Sequence, residues 1–265
     1  MSHSHHALLV RTNGSLTDGI VLLAAELAGG GLPEGYGPTI VAVTNRTDDE
    51  VVPGETRRHV ASDALHANRL AADATVRWHT VDAETPTDAL ESAVESEAPG
   101  ITVVPTELGA DVAESIAASS DSTVVLAPND PALGRSESVL AAVGTGPHSG
   151  AVVDTAVALS RATDATVTLV HVGDDSAGRA LLDSAAARAD DCAVETRTVA
   201  GDPTDALLDL APDFDAFVIG GPTHGGLRRF AFGSTSERLR EESDTLALTV
   251  WGDGDDALGP HGGTH

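Results

Sequence analysis

Aliphatic and β-branched runs of strand length alternate with amphipathic stretches along the whole chain, and nothing else constrains its fold as strongly. The runs fall at residues 7–12, 39–44, 75–81, 101–104, 122–127, 138–143, 166–172, 194–199, 216–219 and 246–251. Helical spacing of apolar positions separates them at 16–28, 55–72, 86–97, 109–119, 150–162, 177–189 and 234–242. A further helix opens at Gly201-Asp202-Pro203, with Asp202 at the N-cap and Pro203 at the first helical position. Strands joined through helices form a parallel sheet covered on both faces, with right-handed crossovers. The seam is Ala127-Pro-Asn-Asp-Pro-Ala-Leu-Gly134, where two prolines and Asn-Asp break both patterns. The expectation is an α/β chain of two tandem, doubly wound, five-stranded parallel sheets of Rossmann-like type. Domains are expected at 1–128 and 135–252, followed by a flexible tail at 253–265.

Ligands of such sheets sit outside the carboxyl ends of the strands, where strand order reverses. In the second half, the loops due there are 144–149 and 220–233. The latter runs Val218-Ile-Gly-Gly-Pro-Thr-His-Gly-Gly-Leu-Arg-Arg-Phe-Ala-Phe-Gly-Ser-Thr. Its glycines let backbone approach a guest, and the helix opening at Gly233-Ser234 offers unpaired N–H groups to an anion. The corresponding loop of the first half is merely Pro105-Thr-Glu-Leu-Gly109, without the glycine stretch.

Composition narrows the partners. Asp and Glu total 41 against 15 basic residues, all of them arginine, for a net charge of −26. Such a surface repels nucleic acid and anionic membranes. Dense carboxylate without lysine points to a salt-rich cytoplasm of the haloarchaeal kind, where the Debye length falls to roughly 3 Å at 1 M salt. No run is long and apolar enough to insert in a membrane, and the start (Met-Ser-His-Ser-His-His) has no signal-peptide core. The single cysteine, Cys192, excludes an intrachain disulfide and reads as a small buried thiol. Aromatics are 3% of residues, so Val, Ala, Leu and Ile must build the core; Trp78 and Trp251 read as packing residues.

The long loop resembles that of the universal stress protein family, whose pattern is Gly-x-x-Gly, nine residues, then Gly-Ser or Gly-Thr. Gly220, Gly233 and Ser234 fall in place, while Thr223 stands where the second glycine belongs. Thr168-Leu-Val-His-Val172, the Gly201-Asp202-Pro203 turn and Leu246-Ala-Leu-Thr-Val250 resemble the family's other motifs in order and spacing. The resemblance implies an adenine nucleotide alpha hydrolase-like fold and a tandem member with a degenerate first copy. It further implies ATP or another adenine nucleotide as ligand. Backbone at Val172 would meet adenine, and Gly220, Thr223, Gly233, Ser234 and Thr235 would lie along the phosphates. Gly144 occupies the place of the family's adenosine-binding aspartate, and Asn13 does so in the first half. Neither supplies that carboxylate.

Two functions stand side by side. One is a cytoplasmic stress-response protein holding a nucleotide in its second domain; the other is a nucleotide-free interaction module partnering a membrane transporter or another regulatory target. No lysine-containing phosphate loop and no Gly-x-Ser-x-Gly elbow exist, so catalysis is expected to reach at most slow ATP hydrolysis. Arg228 and Arg229 are expected to pair with acidic neighbours, His171 to be a satisfied strand-end residue, and the terminal histidines to be solvated. The resemblance implies pairing through the last strand, as single-domain relatives usually dimerise that way. Residues 122–127 and 246–251 are therefore expected to form an intramolecular pseudo-dimer, with a homodimer of whole chains as the alternative.

Overall fold

The computed structural model describes residues 6–10, 18–29, 39–45, 75–81, 83–128, 131, 136–173, 176–189, 192–222 and 245–252. The helices expected at 55–72 and 234–242, together with Asn13, Thr223, Arg228, Arg229, Gly233, Ser234, Thr235 and the terminal histidines His3, His5, His261 and His265, lie outside the described residues, whereas His6 opens the first strand, level with Thr39. The chain divides into two compact units, Met1–Leu133 and Gly134–His265.

In the first unit the order is β1 (His6–Val10), α1 (Asp18–Gly29), β2 (Thr39–Asn45), β3 (Thr75–Val81), α2 (Pro86–Glu97), β4 (Ile101–Pro105), α3 (Ala110–Ser119) and β5 (Thr123–Ala127). Every described pairing is parallel, in the spatial order β3-β2-β1-β4-β5. Ala7 on the central strand is level with Ile40 on one side and Ile101 on the other. Local chemistry fixes where α2 starts. Thr85 Oγ1 accepts from Asp88 N at 3.1 Å, Asp88 Oδ2 accepts from Thr85 N at 3.2 Å, and Pro86 opens the first turn. This reciprocal cap is worth about 1 kcal/mol. The Pro105–Gly109 segment that replaces a glycine loop folds as a 3-10 turn at Thr106–Leu108.

The second unit repeats the plan with β6 (Ser138–Ala142), α4 (Ser149–Thr163), β7 (Thr166–Val172), α5 (Ser176–Arg188), β8 (Val194–Val199), α6 (Pro203–Leu210), β9 (Ala216–Gly220) and β10 (Leu246–Trp251). Its spatial order is β10-β9-β6-β7-β8, again all parallel. Numbered within each unit, both sheets read 3-2-1-4-5. Strand order therefore reverses between β6 and β9, and that crevice opens at their carboxyl ends.

Side-chain alternation sorts the sheet into two apolar faces. Leu140, Ala142, Val170, Phe217 and Ile219 pack against Leu207 and Leu210 of α6. Asp215 ties the start of β6 to the turn before β9, its Oδ2 accepting from Glu137 N (2.8 Å), Ser138 N (3.0 Å) and Ser138 Oγ (3.0 Å). These donors hold its carboxyl below the usual range, the Glu137 amide contributing most. Arg188 forks onto Asp154, joining α5 to α4 through Nε–Oδ1 at 2.5 Å and Nη2–Oδ2 at 2.6 Å. Cys192 departs from the sequence expectation. It is partly exposed rather than buried, because it sits in the turn between α5 and β8, with Sγ 3.9 Å from Val157 O. Among the described residues no helix is long and apolar enough to cross a membrane.

Candidate functional site

At the carboxyl ends of β6, β7 and β9 the second unit holds a cavity of about 360 Å³. Three of the residues singled out from the sequence meet there: Gly144 after β6, Val172 at the end of β7 and Gly220 at the end of β9. The other four, Thr223, Gly233, Ser234 and Thr235, lie outside the described residues.

Each wall has a local cause. The 144–149 loop is closed by Ser149 Oγ, which donates to Gly144 O at 2.6 Å. α4 then begins on His148 with no side-chain cap, so the positive end of its backbone dipole stays beside the cavity. His148 Nδ1 lies 3.2 Å from Gly252 O and 3.3 Å from Gly252 N, so either ring tautomer ties this helix start to the chain leaving β10. On the neighbouring strand, His171 Nδ1 donates to Val143 O at 2.9 Å. A carbonyl can only accept, so the Nδ1 proton is fixed. The imidazole folds back beneath Gly173, where an added Cβ would sit 2.6 Å from Nε2. His171 is thus the satisfied strand-end residue its position suggested.

The far wall comes from α6. Asp202 caps it, Oδ1 accepting from Thr204 N (2.9 Å) and Asp205 N (3.3 Å), after a turn in which Gly201 adopts φ +126°. Those constraints carry Pro203 and Leu207 to the cavity. Gly221 extends the wall beyond β9. Its N–H donates to Val250 O at 2.8 Å, and its Cα rests on the buried indole of Trp251. Its neighbour Gly220 faces His148 and Val152, where a Cβ would come to 3.4 Å and 3.8 Å.

The chemistry of this lining is plain. It combines Val, Pro, Leu and Ile surface with glycine backbone, two hydroxyls and two imidazoles, and none of the described lining residues is acidic. In a chain of net charge −26 that is the kind of concavity an anionic guest can enter. Around Gly144 there is room: an added Cβ would meet nothing nearer than Gly146 N at 3.9 Å. No group of three potential metal ligands occurs among the described residues.

His148, Ser149 and Gly221 belong to the two loops expected at this crevice, while Pro203 and Leu207 were not foreseen as parts of its wall. The Gly201-Asp202-Pro203 turn was a usable signal for Pro203 and Leu207. The contact of Gly221 with Trp251 carried none, because it joins residues 30 apart.

No protein-family model matches this sequence, and no curated protein is similar to it. Solved structures are. A universal stress protein from Archaeoglobus fulgidus superposes with a TM-score of 0.59 at 17% identity, covering 96% of this chain and 98% of that one. The cytoplasmic domain of a prokaryotic cation chloride cotransporter gives 0.64 at 11% identity, covering 97% and 98%. A putative universal stress protein from Pseudomonas aeruginosa gives 0.56 at 15%, covering 93% and 92%. At these identities the likeness is one of fold: the chain has the α/β architecture that universal stress proteins share.

Proposed function

We propose that this is a cytoplasmic regulatory protein of universal stress protein type that binds an adenine nucleotide, ATP or a relative, in the crevice of its second unit. The observation that carries the reading is the cavity between the ends of β6, β7 and β9, lined by Gly144, Val172 and Gly220 and free of described acidic side chains. The apolar wall suits a purine ring. Glycine backbone beyond β9 and the start of α4 suit phosphate oxygens. Gly233, Ser234 and Thr235 would complete the phosphate cradle. This reading gives the protein a binding role, with no more than slow hydrolysis of the bound nucleotide.

The test is direct. Protein purified in molar KCl is denatured with acid and the released small molecules are identified by mass spectrometry. Near one adenine nucleotide per chain, or calorimetric binding of added ATP, supports the reading. The absence of both removes it. A second reading, an interaction module serving a membrane transporter, is favoured by the full-length likeness to a cotransporter's cytoplasmic domain. Recovery of a transporter subunit from solubilised membranes supports that reading, and failure to recover one counts against it.

A further inference from the structure

β8 is the outermost strand of its sheet, with β7 as its ladder partner among the described residues. Its four central residues, Glu195, Thr196, Arg197 and Thr198, are all exposed, so side chains on both of its faces reach solvent. The parallel ladder dictates which backbone groups are free. Val167 N donates to Ala193 O and Gly173 N donates to Val199 O, so odd-numbered residues turn their peptide groups toward β7. Alternation along a strand then points the N–H and C=O of Val194, Thr196 and Thr198 outward. Such an edge templates pairing with another strand.

We propose that β8 pairs antiparallel with β8 of a second copy of this chain, on a two-fold axis at Thr196. In an antiparallel ladder the residues with outward peptide groups form the hydrogen-bonded pairs. Thr196 then exchanges both bonds with its own copy, and Val194 does so with Thr198. The residues between them form the non-hydrogen-bonded pairs, whose side chains approach closest. An axis at Thr196 sets Glu195 opposite Arg197 twice. Moving the axis to Glu195 would oppose two carboxylates, and moving it to Arg197 would oppose two guanidiniums, both of which are destabilising. Neither side chain has a competing ion pair among the described residues, and the strand is rich in valine and threonine, as pairing strands are. The interface is isologous and therefore closes as a dimer rather than growing into a filament.

Salt decides where the dimer forms. Two copies of net charge −26 repel each other until screening shortens the Debye length to roughly 3 Å at 1 M salt. The two ion pairs are weakened by the same screening, so they select the register and the backbone bonds supply the attraction. A single strand pair is a small interface, so the dimer is concentration-dependent.

Sedimentation equilibrium of the full chain in molar KCl tests this. The wild type should pass, as concentration rises, from 26.9 kDa to twice that mass. Thr196→Pro removes an N–H that faces away from β7, a place where an edge strand tolerates proline, so it should stay folded and monomeric. Arg197→Glu should weaken association at least about tenfold. The double exchange Glu195→Arg with Arg197→Glu should restore it. A wild type that stays monomeric, a dimer that survives both single variants, or a double exchange that fails to restore association each overturns the proposal.

Discussion

Gly221→Ala tests how tightly the end of β9 is locked to Trp251. An added Cβ would overlap Cε2, Nε1 and Cδ2 of the indole, all three within 2.5 Å, where ordinary contact begins near 3.4 Å. The ring has little room to yield: Trp251 is 1% exposed and belongs to β10, which pairs with β9 along its length. Overpacking of this kind costs about 1–3 kcal/mol, and displacing the backbone also threatens the Gly221 N–Val250 O bond, worth about 1 kcal/mol. Against this, alanine restricts the unfolded chain and returns about 0.4–1 kcal/mol. The net expectation is a loss of about 2–3 kcal/mol, or roughly 10 °C in melting temperature for a unit of this size. The assay is thermal unfolding by circular dichroism in molar KCl, with indole fluorescence followed in a Trp78→Phe background. Gly144→Ala is the control, because its Cβ meets open space and should change stability by less than about 0.5 kcal/mol. If Gly221→Ala melts with the wild type and leaves the Trp251 emission unmoved, the close approach is wrong.

Other outcomes follow from single groups. Burial raises the Glu26 carboxyl to about 7, and one of its oxygens is buried with no hydrogen-bond partner among the described residues. A raised acid stabilises the fold below its unfolded value and loses that contribution as pH climbs through the folded one. Glu26→Gln should therefore stabilise by about 1–2 kcal/mol at pH 8, discounted for partial exposure, and much less at pH 5; equal effects at both pH values would refute this. Asp215 is the opposite case: its lowered carboxyl supports the fold above the ordinary carboxylate range and ceases to as pH falls through the folded value. Asp215→Asn should cost about 1 kcal/mol at pH 7 because the site is exposed to solvent, and the gap from wild type should close in acid titrations of unfolding. Gly144→Asp places a carboxylate in open space, at the position where the sequence resemblance implies an adenosine-binding aspartate, and should tighten ATP binding about tenfold by calorimetry. Unchanged or weaker binding would argue against a nucleoside at that wall. Dialysis from molar KCl into dilute buffer should lower the melting temperature, since 41 carboxylates face 15 arginines; an unchanged melt would refute salt dependence.

Much of the fold was legible because it is local. Valine-rich runs and helical spacing specify element type within one window, so β3, β7, β8, α2 and β10 begin and end where the sequence places them. Caps were equally readable, because Asp202 acts on amides two and three residues away. The exposure of Cys192 was less so, since burial depends on what packs across from a residue rather than on its type.

By itself, then, the sequence determined the alternation of strand and helix, the caps and the excess of carboxylates over arginines. Which strand lies beside which was decided only by long-range pairing. The order β10-β9-β6-β7-β8 brings residues 144, 172 and 220 to one cavity, rests Gly221 on Trp251 and leaves β8 at the edge. The physical reason is that periodicity states how a segment buries its own side chains, whereas ladder hydrogen bonds between distant segments choose its neighbours.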